Sequence, residues 1–325
     1  MGFPSVNGCT FTVAAMITSV VNAILPVALL IAFGFVLGKR GVLDEAAMAG
    51  LAKLVVSIAL PVALFLDAIA TSRSELSNVR YVLAIAIALA GLYVVTFAIG
   101  RGLLGNDKRE SAVEALSVGL PSMAFVGLPV LVGRVGVVSG TLPVLVGNIV
   151  TSITLVPVTV ALLESRGAAE GRGGASARRI LVGAVKPPLV WLPVLGLLLT
   201  IADLNHLPIV AQSTLRPLGQ AASGVALVTV GLMMSHQKAA FDRNIAVNVV
   251  LKLVAMPLAM FGLVIALSIR GQARTALLLL AMTPTATTAG ILALRYRTYM
   301  SEAAPTIFMT TILSFVGYTV ILALA

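Results

Sequence analysis

Two stretches of the chain combine proline, glycine and small hydroxyl side chains within apolar sequence. Residues 117–129 read Ser-Val-Gly-Leu-Pro-Ser-Met-Ala-Phe-Val-Gly-Leu-Pro, and residues 281–290 read Ala-Met-Thr-Pro-Thr-Ala-Thr-Thr-Ala-Gly. Proline removes an amide donor and releases the carbonyl four residues earlier, while glycine lets the backbone unwind. A helix broken in this way exposes N–H groups with partial positive charge, an environment that suits a carboxylate. The two stretches therefore predict an anion site.

The relation between the two stretches decides between a binding role and a structural one. Proline and glycine are common in membrane helices, so one such stretch alone is compatible with a purely structural role. The separation of Pro121 from Pro284 is nearly the same as that of Pro26 from Pro193, as a duplication would give. Breaks at matching positions of two halves favour a binding site. The predicted substrate-binding residues are Pro121, Ser122, Met123, Asn148, Pro284, Thr285 and Thr287.

Three polar residues lie within other apolar runs, namely Asn148, Asp67 and Lys252. Asn148 belongs to the predicted site because an amide both donates and accepts hydrogen bonds. Asp67 is either a proton or ion relay or an acid at a wet helix end, and the two interpretations are equally supported. Lys252 either extends its ammonium to the membrane surface, the commoner behaviour, or pairs with an anion. Asp67 and Lys252 are thus the candidate coupling residues.

Composition excludes several classes of protein. Apolar residues make up 59% of the 325 and charged residues 10%, with a mean hydropathy of +1.08, whereas a soluble domain carries about 25% charged residues. The net charge of +10 comes from short clusters without interleaved aromatics, so nucleic acid is not expected as a partner. There is no phosphate-loop motif, catalytic triad or metal-ligand pattern. We expect neither an enzyme nor a bound cofactor or metal.

The apolar runs predict ten membrane spans, because each crossing needs about 20 mostly apolar residues. Odd-numbered connections hold 15 lysine and arginine residues and even-numbered connections hold 6, which predicts that both termini are extracytoplasmic. The predicted spans are residues 14–38, 50–70, 80–100, 113–133, 139–163, 187–204, 217–236, 246–269, 275–294 and 304–325.

A central segment rich in glycine, alanine and arginine divides these spans into five and five. Residues 164–186 are therefore predicted to be a cytoplasmic linker between a first repeat, residues 1–163, and a second repeat, residues 187–325. With five spans in each half, the second half must cross the membrane in the opposite sense to the first. The predicted fold class is an all-α membrane protein with two inverted five-helix repeats.

Several stretches in a fixed order resemble one known family. They are residues 24–44, Leu60-Pro-Val-Ala-Leu-Phe65, Phe125-Val-Gly-Leu-Pro-Val130, Lys186-Pro-Pro, residues 227–233, residues 251–257, Met282-Thr-Pro-Thr-Ala and Arg295-Tyr296. On these residues the chain resembles the auxin efflux carrier family, which includes plant PIN-type carriers and bacterial proteins labelled malonate or organic-acid transporters. The resemblance covers nearly the whole chain from Met16 onward.

The resemblance implies a scaffold domain and a transport domain, with broken fourth and ninth helices that cross at prolines beside the substrate. Plant members have an asparagine after the proline of the fourth helix. Ser122 stands at that position here, and Thr285 is its counterpart in the ninth helix. The resemblance therefore indicates a substrate class and not auxin itself.

Taken together, these features predict a secondary transporter that moves a small organic anion across the bacterial inner membrane by alternating access, as an exporter or with proton coupling. A sodium-coupled organic anion symporter is the first alternative, and a non-transporting sensor or a channel is the second. The predicted partners are a small carboxylate, the lipid bilayer, a coupling proton or sodium ion, and a second copy of the chain.

Overall fold

The computed structural model describes Val21 and residues 25–70, 79–164, 188–204, 207–236 and 242–324, and the regular elements among them are helices. In chain order these are α1 Leu25–Lys39, α2 Glu45–Ala70, α3 Val79–Leu104, α4 Lys108–Gly119, α5 Leu128–Val135, α6 Val137–Ile153, α7 Leu155–Glu164, α8 Pro188–Ile201, α9 Ile209–His236, α10 Arg243–Ala266, α11 Gly271–Ala281, α12 Thr287–Arg295 and α13 Met300–Leu324. The predicted linker lies, apart from Glu164, outside the described residues.

Apolar helices of membrane-crossing length dominate the described part of the chain. Six are long and apolar enough to cross a membrane, namely α2, α3, the continuous pair α6–α7, α9, α10 and α13, while α1 and α8 are shorter apolar helices. Large apolar side chains such as Leu29, Val94 and Val316 are about 60% exposed on the outside of the molecule. Such a surface is stable in lipid and not in water.

The predicted spans 113–133 and 275–294 are each divided into two helices. The first is α4 and α5, separated by residues 120–122 and a π-helical turn, Met123–Gly127, and the second is α11 and α12, separated by residues 282–286. Both interruptions contain the prolines on which the sequence prediction rested. We call residues 120–122 and 284–286 the paired breaks.

Helix α9 begins earlier than the sequence predicted. Its predicted start was residue 217, whereas the helix begins at Ile209 and continues through Pro217. The preceding residues mix polar and apolar side chains, so hydropathy alone did not reveal the first two turns. The difference matters because Arg216, assigned to a connection from sequence, lies within the helix.

The helices pack in two groups. In the first group, α2 packs against α8 and α9, and α1 packs against α9 where Gly34 and Gly231 allow close backbone contact. In the second group, α3 packs against α4, α6 and α10, α5 packs against α6 and α11, and α13 packs against α10 and α12. The groups meet where α2 and α8 contact α6 and where α9 contacts α12.

Connections in the two halves of the chain share a backbone feature. Left-handed residues occur at Gly41 after α1 and at Asp203 after α8. They occur again at Gly105 after α3 and at Ser268 after α10. The separation in sequence is nearly the same for both pairs, and it matches that of the two prolines in the paired breaks. Three features of the first half therefore recur in the second half at nearly one offset.

Candidate functional site

The paired breaks are joined to each other by backbone hydrogen bonds. Pro121 and Thr285 form an antiparallel bridge. The N–H of Ser122 donates to the Pro284 carbonyl at 2.7 Å, and the N–H of Ala286 donates to the Leu120 carbonyl at 3.0 Å. Each broken helix thus supplies the partners that the other lost, which allows irregular backbone to persist inside an apolar molecule.

Side chains satisfy the remaining carbonyls of the α4 break. The Ser117 carbonyl would accept from residue 121 in an intact helix, but Pro121 has no N–H, and the Thr285 hydroxyl donates to it instead at 2.6 Å. The Val118 carbonyl would accept from the Ser122 N–H in an intact helix, but that N–H donates to the Pro284 carbonyl. The Val118 carbonyl accepts instead from the Lys252 ammonium at 3.1 Å. Both donors therefore hold the break in its observed shape.

The α11 break is supported in a comparable way. The hydroxyl of Thr310 on α13 accepts from the Thr285 N–H at 3.2 Å. The Leu280 carbonyl, which loses a donor because residue 284 is proline, accepts from the hydroxyl of Thr283 at 2.7 Å. The backbone around both breaks is consequently well supplied with partners in the second helix group.

A cavity of about 250 Å³ lies beside the paired breaks, between the two helix groups. The first group contributes α2 and α9 to its wall, and the second contributes residues 120–123, α6, α7 and the start of α12. The polar side chains that line it are Asp67, Ser122, Asn148, Thr151, Ser152, Arg216, Gln220, Thr287 and Thr288. The other lining residues are mainly apolar, as is typical of small-molecule sites.

The cavity holds several hydrogen-bond donors and one acid, Asp67. Thr287 and Thr288 are the first residues of α12, and no side chain caps this helix start. The unsatisfied N–H groups of a helix N-terminus carry partial positive charge. Arg216 adds a full positive charge, and Gln220 lies one turn beyond it on α9. Hydrogen-bond donors therefore reach the cavity from both helix groups.

The structure brings most of the predicted site residues together. Five of the seven predicted substrate-binding residues line the cavity, namely Pro121, Ser122, Met123, Asn148 and Thr287. The other two lie next to the cavity, within the α11 break. Pro284 and Thr285 make backbone and side-chain hydrogen bonds to the α4 break and are not among the lining residues.

The two candidate coupling residues differ in position. Asp67 lines the cavity, where its carboxylate accepts from the Asn148 amide at 2.9 Å, a hydrogen bond between the two helix groups. Lys252 is fully buried in the π-helical turn Leu251–Ala255 of α10. Its ammonium reaches the Val118 carbonyl and not the membrane surface, so the snorkelling interpretation is wrong.

Arg216 is a lining residue that sequence reasoning missed. It was counted with the connections because the start of α9 was placed after it. The signal that identifies it is helical spacing, since Arg216 and Gln220 are four residues apart and therefore share a helix face. No group of three or more His, Cys, Asp or Glu side chains capable of holding a metal occurs within the described ranges.

An apolar helical molecule with a polar cavity between two helix groups is organised as a membrane transporter. The chain belongs to the membrane transport protein family, the auxin efflux carrier family, whose model matches residues 19–322. The chain is therefore identified as a multi-pass membrane transporter, with a lipid bilayer and a transported substrate as its partners.

Two relatives illustrate the match. The uncharacterized transporter YfdV of Escherichia coli strain K12 is 28% identical over 286 residues, which cover 87% of this chain and 90% of YfdV. An uncharacterized transporter of Methanothermobacter thermautotrophicus is 27% identical over 304 residues, which cover 91% of this chain and 95% of that relative. The similarity therefore extends over nearly the full length of all three chains.

Proposed function

We propose that the chain is a carrier that moves a small organic anion across the bacterial inner membrane by alternating access. The observation that supports it most directly is the position of the cavity. It lies beside the paired breaks and is lined by a helix N-terminus, Arg216 and small polar side chains. Backbone N–H groups at the start of a half-helix inside the membrane bind anions through their partial positive charge, and this does not require a fully charged side chain.

In this proposal, the substrate carboxylate is coordinated by Ser122, Asn148 and Thr287, by the first N–H groups of α12, and by Arg216. Each of these residues lines the same cavity. Pro121 and Met123 shape its wall, and Pro284 and Thr285 keep the two breaks in register. The volume of about 250 Å³ fits a small carboxylate better than a molecule the size of a nucleotide or a lipid.

Alternating access in this proposal is a movement of one helix group against the other. The cavity lies at their boundary, so a relative movement opens it to one side and closes it to the other. The hydrogen bond from Asn148 to Asp67 crosses that boundary and is a natural contact to break and re-form. The first group corresponds to the scaffold domain that the family resemblance implies, and the second to the transport domain.

The proposed topology has ten spans in two inverted repeats. The six long helices, the shorter α1 and α8, and the two broken pairs α4–α5 and α11–α12 supply ten crossings. The recurrence of left-handed connections and of proline breaks at nearly one offset in sequence supports the duplication. Both termini are then extracytoplasmic, as the distribution of lysine and arginine predicts.

The test is uptake of labelled malonate, acetate, lactate and succinate into proteoliposomes that contain the purified protein. A carrier gives saturable uptake for at least one of these carboxylates. Thr287→Val should raise KM about 10- to 100-fold, because a hydrogen bond to a charged group contributes about 1.5–3 kcal/mol. Ser223→Ala on α9 is the matched control, since Ser223 does not line the cavity. Flux that increases linearly with concentration indicates a channel, and absence of flux for all four carboxylates rejects the proposal.

A further inference from the structure

A buried acid on α4 lies outside the cavity and has no part in substrate coordination. Glu114 is 0% exposed, seven residues before Pro121. Its Oε2 atom accepts from the amide of Asn106 at 2.8 Å. Its Oε1 atom is buried and has no hydrogen-bond partner among the described residues. A buried acceptor without a donor is costly, so this atom requires an explanation.

Close packing fixes the carboxyl group against α3. Gly100 lies directly opposite it, and any side chain at that position would overlap the Glu114 carboxylate. The same glycine faces the hydroxyl of Ser111, one turn before Glu114 on α4. Ser111 is also fully buried, and its hydroxyl has no partner in the described part of the chain. Gly100 therefore faces two buried polar side chains, Glu114 and Ser111, that are not hydrogen-bonded to each other.

Helix α10 completes this polar group. Besides Glu114, the Asn106 amide contacts the side-chain oxygen of Asn244 at 3.2 Å, which brings α10 to the same place. Asn248, one turn farther along α10, is fully buried and donates to the Tyr299 hydroxyl at 3.0 Å. Its own Oδ1 atom has no donor from any residue that the structure describes. We call Asn106, Ser111, Glu114 and Asn248 the Glu114 cluster.

Among the described residues, no positively charged side chain pairs with the acid. The Arg101 guanidinium donates to the Asn106 carbonyl at 2.8 Å, and the Lys252 ammonium is used by the Val118 carbonyl. Over the described ranges no basic side chain forms an ion pair with Glu114. The charged and titratable groups on or next to α4 and the elements packed against it are, besides Glu114, Arg80, Tyr81, Tyr93, Arg101, Asp107, Lys108, Arg109, Glu110, Glu164, Asp242, Arg243, Lys252, Arg295, Tyr296, Arg297, Tyr299, Glu302 and Tyr318.

We propose that the Glu114 cluster is a proton-binding site, and that the proton on Glu114 is the one that couples transport to a pH gradient. A proton removes the buried charge and gives the carboxyl group a hydrogen that it can donate. The Ser111 hydroxyl and the Asn248 Oδ1 atom are buried oxygens of the same cluster, and neither has a hydrogen-bond partner among the described residues. All members of the cluster belong to the second helix group, so the proton would travel with the group that carries the paired breaks. Loss of the proton to water on one side, and its return from the other, balances each cycle.

The coupling part rests on the proposed carrier function, and one variant separates the two. Glu114→Gln has nearly the shape of the protonated acid but cannot release a proton. In proteoliposomes it should retain counterflow of labelled malonate, at equal pH on both sides, to within about twofold of the wild-type rate. A gradient of one pH unit should change malonate accumulation by the wild-type protein about tenfold for one coupled proton, and not change accumulation by the variant.

Each other result has a defined meaning. Gradient-driven accumulation that persists in Glu114→Gln overturns the proposal, as does a wild-type protein that exchanges malonate but does not respond to pH. Accumulation driven by sodium and lost in the variant assigns the cluster to sodium and rejects the proton. A Glu114→Gln protein that does not fold also rejects it, because glutamine mimics the protonated acid.

Infrared spectroscopy tests the proton even if no carboxylate is transported. The wild-type protein should show a C=O stretch of a protonated carboxyl group that is absent in Glu114→Gln. The band should remain in Glu45→Gln, which removes an exposed acid from the first turn of α2. The spectrum of Asp67→Asn shows which part of the band comes from the acid in the cavity. A spectrum in which Glu114→Gln removes only a carboxylate band contradicts the assignment.

Discussion

Replacing Thr285 by valine measures how strongly the paired breaks stabilise each other. The Thr285 hydroxyl donates to the Ser117 carbonyl at 2.6 Å, and the side chain is 1% exposed. The backbone cannot replace this donor because residue 121 is proline. Valine keeps the branched shape but leaves the carbonyl without a partner, so the expected loss is the cost of one buried unsatisfied acceptor, about 1–3 kcal/mol.

The same substitution elsewhere provides the control. Thr319 on α13 is exposed, and its hydroxyl donates to the Phe315 carbonyl within the helix. That carbonyl retains its helical N–H donor, so Thr319→Val should change the free energy of unfolding by less than about 0.5 kcal/mol. Thr285→Ser keeps the hydroxyl and should recover most of the loss caused by Thr285→Val.

Equilibrium unfolding of the purified protein in mixed micelles of sodium dodecyl sulfate and a mild detergent gives these free energies. The predicted order of stability is wild type and Thr319→Val first, Thr285→Ser next and Thr285→Val last. If Thr285→Val is as stable as Thr319→Val, the hydrogen bond across the breaks does not support the structure, and the account of the α4 carbonyls is wrong.

Two further predictions concern helix packing and the cavity. Gly231→Ala should lower the free energy of unfolding by about 1–3 kcal/mol, because the new methyl group would overlap the Ile31 carbonyl of α1. The control is Gly224→Ala on the same helix, whose methyl group meets no atom within 4 Å. In the same unfolding assay this variant should be more stable than the wild type by about 0.5–1 kcal/mol. Arg216→Gln should raise the KM for carboxylate uptake about 10- to 100-fold, because the substrate loses a charge-assisted hydrogen bond. Arg270 does not line the cavity, so Arg270→Gln should leave KM unchanged. Equal effects of the two variants on KM would exclude Arg216 from the site.

The paired breaks were accessible to sequence reasoning because their signal is local. Proline at positions 121 and 284 interrupts a helix wherever it lies, and apolar flanks predict that the helix is in the membrane. The hydrogen bonds from Ser122 to Pro284 and from Ala286 to Leu120 were not predictable, since they depend on how two distant helices meet.

Lys252, Arg216 and Glu114 show why the remaining polar residues were harder to interpret. A lysine near the end of an apolar run reads as a surface residue, yet the π-helical turn and the freed Val118 carbonyl keep Lys252 fully buried. The predicted start of α9 assigned Arg216 to a connection and away from the cavity. Glu114 was not selected because its burial follows from the contact with Gly100 on another helix. Each outcome depends on tertiary contacts that spacing does not encode.

Protection of a cysteine in the cavity by substrate tests the central claim most directly. Cys9 is the chain's single cysteine, so Ser122→Cys in a Cys9→Ser background places one reactive thiol beside the paired breaks. We predict that a membrane-impermeant thiol reagent labels it from either side of the proteoliposome. The carboxylate with the highest saturable uptake, at about ten times its Kd, should slow that labelling about tenfold by mass action. Labelling from one side only, or labelling that the transported carboxylate does not slow while its flux continues, would contradict a substrate site at the paired breaks.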